Sequence, residues 1–163
     1  MRNTEILTRS LSLEDIEKLF LNYTECVFLN SNEDVSISYL ALGIKAEFKH
    51  KENQVFDGLT QFVDEYQDWV FGYLGYDLKN EVEPSLSSKN KDELEFESTH
   101  FFVPEIVCEL SPEFTKVHFQ KKEEKERLLT FLDGKTTKNK ENTQNITFSQ
   151  IMSQDNYEQR FEA

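Results

Sequence analysis

The residues best suited to chemistry are scattered along this 163-residue chain. His50, His100 and His118 each stand apart from any serine or cysteine nucleophile at motif spacing. His50 lies in a charge run, and His100 and His118 fall in strand-like segments, so surface or structural roles are expected for all three. No HExxH, no GxSxG and no phosphate loop with its Lys-Ser/Thr occurs. Phe71-Gly72-Tyr73-Leu74-Gly75 looks at first like a phosphate-binding turn, but it lacks a third glycine and lies within a strand, not after one. Its glycines are expected to serve packing, a bulge or the close approach of another backbone. The carboxylates of Asp92-Glu93-Leu94-Glu95-Phe96-Glu97 have no scaffolded metal-ligand spacing and read as a solvated loop. Cys26 and Cys108 each sit in an apolar run, without a CxxC or Cys/His pattern, and read as buried, reduced thiols.

The elements that must position these residues follow from periodicity. Ser12 is an N-cap, Glu14 and Asp15 place negative charge in a first turn, and Leu13, Ile16, Leu19 and Phe20 recur at helical spacing, predicting a helix over 13–22. Phe56, Leu59, Phe62, Val63 and Tyr66 predict a second over 54–67, and Leu128, Leu129, Phe131 and Leu132 a third over 121–133, with Gly134 beyond its end. Residues 5–8 and Cys26–Leu29 read as short strands. Val35 to Phe48 reads as a strand pair or one long bent strand with Gly43 at the bend. Trp69 to Tyr76, the most apolar segment, reads as a central strand. Phe101 to Leu110 is strand-like with a break at Pro104, and Lys116–Phe119 returns beside it as a hairpin. Residues 83–98 form a polar, acidic excursion, and 135–145 carry no apolar side chain. Ile146–Phe148 could form another strand, and Ser153 caps a stretch in which Tyr157 and Phe161 are spaced as on a helix. Together these patterns define an α+β chain of mostly antiparallel sheet flanked by helices.

Composition narrows the partners. Fourteen phenylalanines, six tyrosines and one tryptophan are enough to build a core. A formal net charge of -13 repels phosphate backbones and anionic lipid surfaces, which excludes nucleic acid and membranes as expected partners. No apolar run approaches the ~18 residues of a membrane span, and Met1-Arg2-Asn3-Thr4-Glu5 has no apolar signal core behind it, so the cytoplasm is the expected location.

One segment goes further. Trp69-Val70-Phe71-Gly72-Tyr73-Leu74-Gly75-Tyr76-Asp77 resembles the aromatic, glycine-spaced strand of the chorismate-using component I family, the aminodeoxychorismate and anthranilate synthases. Tyr76 to Glu83 is similar to that family's Y-D-L-K-N-x-x-E form, and Phe101-Phe102-Val103-Pro104 to the F-F-x-P that follows it. Val27 to Ser31 and Ser38 to Gly43 stand where two effector-binding motifs of the family lie, and Ser153 to Tyr157 is similar to the opening of its catalytic part. The resemblance implies an N-terminal α+β domain over 1–133, a linker over 134–150, and the start of the catalytic region over 151–163. Chorismate and Mg²⁺ would then be held by a C-terminal chorismate-binding domain beyond residue 163. This part would be non-catalytic and carry no cofactor of its own. A glutamine amidotransferase subunit would supply ammonia to the whole enzyme. The para-aminobenzoate and folate branch is expected ahead of the tryptophan branch. The resemblance also implies a tryptophan-like effector at Leu29, Ser31, Ser38 and Tyr39, although Asn30 stands where the motif has Glu and Ser38 where it has a basic residue. A half lacking its partner would expose apolar surface and could pair as a homodimer. The rival expectation is a free-standing small-molecule-binding or protein-interaction domain on the same fold.

Overall fold

The computed structural model describes residues 1–32, 36–50, 55–79, 83, 85 and 96–134. The expected linker, the strand near residue 147, the final helix and most of the acidic excursion lie outside the described residues. The chain runs β1 (Asn3–Leu7), α1 (Leu13–Phe20), β2 (Cys26–Leu29), β3 (Ser38–Leu42), β4 (Ala46–His50), α2 (Val55–Tyr66), β5 (Phe71–Leu74), a 3₁₀ turn (Tyr76–Leu78), β6 (Thr99–Val103), β7 (Ile106–Leu110), β8 (Thr115–Phe119) and α3 (Lys122–Asp133). This is the α+β, antiparallel architecture the sequence predicts, in two sheets: β1-β8-β7-β3-β2 and β4-β6-β5.

Two bent strands join the sheets. β3 runs into β4 across Gly43, and β6 into β7 across Pro104 and Glu105. The antiparallel ladder is carried through the bend by Lys45 N–H to the Val103 carbonyl (2.9 Å) and Glu105 N–H to the Leu42 carbonyl (3.1 Å). Gly43 takes φ +70°, a left-handed value that a side chain disfavours, so the expected bend is at the expected residue. Of the two readings of 35–48, the single bent strand holds: β3 pairs with β2 and β7, and β4 with β6.

One expectation is overturned. Trp69 to Tyr76 is not a central strand: only Phe71–Leu74 is extended, and β5 lies at the edge of the smaller sheet, paired to β6 alone. Its aromatics suggested burial on both faces, yet Phe71 alone of the four is buried. The glycines do serve close approach. A Cβ at Gly72 would press on the His100 carbonyl oxygen and lie 2.6 Å from Phe101 Cα.

The first and last helices, α1 and α3, cover the outer face of the larger sheet. The Ser12 hydroxyl accepts from the Asp15 amide at 3.2 Å, and the Asp15 carboxylate accepts from the Ser12 amide at 3.0 Å, a reciprocal cap that starts α1. At α3 the Glu124 carboxylate receives the Gln120 and Lys121 amides. Ile16 and Leu19 of α1 and Leu128 and Leu132 of α3 pack with Leu40, Leu42, Ile106, Cys108, Leu110, Val117 and Phe119 to form the main core. α2 packs on the smaller sheet through Phe62, whose ring is 5.8 Å from that of Phe48.

Candidate functional site

The opposite, inner face of the five-stranded sheet carries the remaining chemistry. Side chains alternate along a strand, and antiparallel partners share a face. The register therefore aligns one row as Ile6, Lys116, Glu109, Tyr39 and Leu29, and the next as Thr4, His118, Val107, Ala41 and Val27. The second row is covered where Phe71 and Phe102 of the smaller sheet meet Ala41 and Val107. The first row is open at both ends: Ile6 is 60% exposed and Leu29 53%.

Trp69, in the connection between α2 and β5, lies over this face. Its ring is 5.4 Å from Tyr39, 6.1 Å from Phe71 and 6.2 Å from His118, nearly parallel to the last two. Beneath it the His118 Nε2 is 2.7 Å from the Glu109 carboxylate, and Nδ1 is 2.9 Å from the Thr4 hydroxyl. Lys116 Nζ is 3.6 Å from the other Glu109 oxygen. Hydroxyl, imidazole and carboxylate thus stand in line, but such a threonine becomes a nucleophile only beside an oxyanion cradle. Here the line knits β1, β8 and β7 together across the face. His118 was read from sequence as surface or structural, and the structural part of that reading holds. His100 Nε2 lies 3.4 Å from Glu47 Oε2 on the smaller sheet, and His50 ends β4. Among the described residues no three His, Cys, Asp or Glu side chains group as metal ligands.

The residues singled out from sequence do come together at the β2–β3 end. Leu29 and Tyr39 are register partners on the inner face. Ser38 alternates away, yet its hydroxyl accepts the Ser31 amide at 3.1 Å, lies 3.4 Å from the Ser31 hydroxyl and donates to Asn30 Oδ1 at 3.3 Å. Asn32 follows with φ 58°, its amide bonded to Asn30 Oδ1 at 3.1 Å. These bonds tie Ser38 to Ser31 and Asn30, so a bound amino acid would have to replace them. Sequence reasoning missed Glu109, Lys116 and His118 as members of one face because strand register brings them together, and Trp69 because it reaches that face from the α2–β5 connection.

An open cleft of about 580 Å³ adjoins this face, lined in part by Arg2, Tyr66, Gln67, Asp68, Trp69 and Gln120. Burial alone would raise the Asp68 carboxyl, but the Arg2 guanidinium and the Trp69 amide hold it below the usual range. Cys108 is buried as expected, whereas Cys26 is only partly buried. Burial pushes Cys108 up to about 12, and burial with the nearby Glu25 charge pushes Cys26 up to about 11.

The fold and this face define an α+β sandwich-like domain with a half-covered inner sheet. Residues 24–163 match the family model of the chorismate binding enzyme. The chain belongs to the chorismate binding enzyme family. No curated protein gives a significant match to it. No helix among the described residues is long and apolar enough to cross a membrane.

Proposed function

We propose that this chain is the non-catalytic, N-terminal scaffold of an aminodeoxychorismate synthase component I-like enzyme of the para-aminobenzoate and folate branch, acting in the cytoplasm. The observation that carries the reading is the half-covered inner face. Ile6 and Leu29 stand open at the ends of a row whose middle holds Tyr39, Glu109 and Lys116, with Trp69 beside it. Apolar side chains left open at an ordered sheet face favour a covering partner. In this reading the partner is the C-terminal chorismate-binding half, which would carry chorismate and Mg²⁺, with ammonia supplied by a glutamine amidotransferase subunit. The similarity of Tyr76 to Glu83 to the Y-D-L-K-N-x-x-E form of aminodeoxychorismate synthase-like sequences supports this branch.

A second reading keeps the scaffold and adds an effector of the tryptophan branch. Tyr39 and Trp69 offer aromatic walls, Glu109 and Lys116 offer both signs of charge, and Leu29, Ser31 and Ser38 form the rim. That combination suits a zwitterionic aromatic amino acid.

Calorimetric titration separates these readings. Chorismate with Mg²⁺ is expected to bind only when the chain is joined to the C-terminal catalytic region. Micromolar binding of chorismate by the 163-residue chain alone would overturn the scaffold reading and favour a free-standing small-molecule-binding domain. Binding of tryptophan that is lost in Tyr39→Ala would support the effector reading. In sedimentation, a homodimer that dissociates when the catalytic region is added would mark the inner face as the pairing surface.

A further inference from the structure

Arg2, just before β1, makes several hydrogen bonds that the inner face does not itself use. Arg2 is 8% exposed in its side chain, and its Nε donates to Asp68 Oδ1 at 2.7 Å. Its remaining donors reach backbone carbonyls at the bend and on the neighbouring strand: Pro104, Glu105 at 2.8 Å and His118 at 3.4 Å. Asp68 Oδ1 also accepts the Trp69 amide at 2.8 Å, and Asp68 Oδ2 accepts from Gln120 at 3.1 Å. Gln120 in turn accepts from Lys45 at 2.8 Å. One guanidinium thus joins the start of β1, the sheet-switching bend at Pro104 and Glu105, β8 and the connection that carries Trp69.

Besides Arg2, that connection is held by Gln120 on Asp68 and by the ring contacts of Trp69. It begins at Gln67, in a left-handed conformation with φ 45°, unusual for a residue with a side chain. Trp69 itself is 38% exposed. The ring contacts with Tyr39 and His118 depend on where the Asp68–Trp69 backbone is held, and Arg2 bonds both to Asp68 and to the carbonyl of His118, the residue whose ring lies under the indole.

We infer that Arg2 is a latch: through Asp68 it holds the Trp69 ring down over Tyr39 and His118, so that access to the inner face is governed by the residue that precedes β1. The planar fork of arginine suits this role because it serves several acceptors in one plane, whereas a lysine ammonium would satisfy Asp68 and leave the bend carbonyls behind.

Trp69 is the only tryptophan of the chain, so its fluorescence reads the latch directly. In the full chain, Arg2→Ala and Asp68→Ala are expected to move the folded-state emission to longer wavelength and strengthen quenching by acrylamide, with Arg2→Lys intermediate. Leu128→Ala, which opens a hole in the main core beneath α3, serves as the stability control. It is expected to lower the urea midpoint without moving the folded-state emission. Native emission in a folded Arg2→Ala protein, or an equal shift in Leu128→Ala, would overturn the latch. If Arg2→Ala does not fold, Arg2→Lys decides, and emission identical to the native protein sinks the idea.

Discussion

Replacing Gly72 and Gly75 separately by alanine tests what the Phe71-Gly72-Tyr73-Leu74-Gly75 segment is for. The two residues look alike in sequence but not in their surroundings. At Gly72 a new Cβ would meet the His100 carbonyl oxygen and lie 2.6 Å from Phe101 Cα and 2.7 Å from Phe101 Cδ1. Two of these atoms are backbone of the paired strand β6, so neither can rotate away. Relief requires β5 to lift from β6, and β5 is an edge strand with no second partner to hold it. Lifting it withdraws Phe71 from Phe102, Ala41 and Val107, the small core between the sheets. Loss of that aromatic burial costs about 2–3 kcal/mol, offset by about 0.5 kcal/mol from the less flexible unfolded chain, for a net loss of about 2 kcal/mol or more. At Gly75 the nearest atom is the Ser98 carbonyl oxygen at 2.9 Å, with the next at 3.4 Å. That oxygen is backbone as well and accepts the Gly75 amide, so main chain must shift there too, but with one such contact instead of several the loss is expected to be smaller, about 1 kcal/mol. Urea unfolding followed by Trp69 fluorescence and far-ultraviolet circular dichroism measures both. Equal losses, or a Gly72→Ala protein as stable as the native one, would refute the close-approach account.

Two further outcomes follow from groups the structure buries or pairs. Cys108 and Cys26, raised to about 12 and about 11, are expected to resist a thiol reagent at neutral pH in the folded state and react on unfolding; fast native-state labelling would contradict the burial. Asp15 and Asp68 are both held below the usual carboxyl range against the pull of burial, Asp15 by Arg9 and Ser12 and Asp68 by Arg2 and the Trp69 amide. A carboxyl depressed in the folded state adds stability that is present above its unfolded value near 4 and is lost as pH falls through its folded value. The urea midpoint should therefore fall below about pH 4, and less steeply in Asp68→Ala; an unchanged slope in that variant would refute the contribution of the pair.

Much of this protein was legible in the chain itself, because the signals were local. The Ser12 cap, the helical spacing of Leu13, Ile16 and Leu19, and the apolar run of Leu128 to Leu132 fixed α1 and α3 to within a residue or two. Gly43 and Pro104 marked the breaks because one permits a left-handed turn and the other cannot donate to a ladder. The resemblance carried by Trp69 to Glu83 led to the chorismate binding enzyme family, which the match over 24–163 bears out at that level.

Tertiary structure decided the rest. No local pattern says that the two breaks fall opposite each other, so that paired strands bend together and share their length between two sheets. Nor could composition show that the aromatic segment at 69–76 ends up at an edge, since an aromatic strand covered on one face by Ala41 and Val107 of the other sheet looks the same in sequence as one covered on both. The inner face was the least legible feature. Thr4, Tyr39, Glu109 and His118 lie on four strands and meet because antiparallel register is a long-range property, set by which strands pair and not by any one strand's residues, while Trp69 reaches them from the α2–β5 connection.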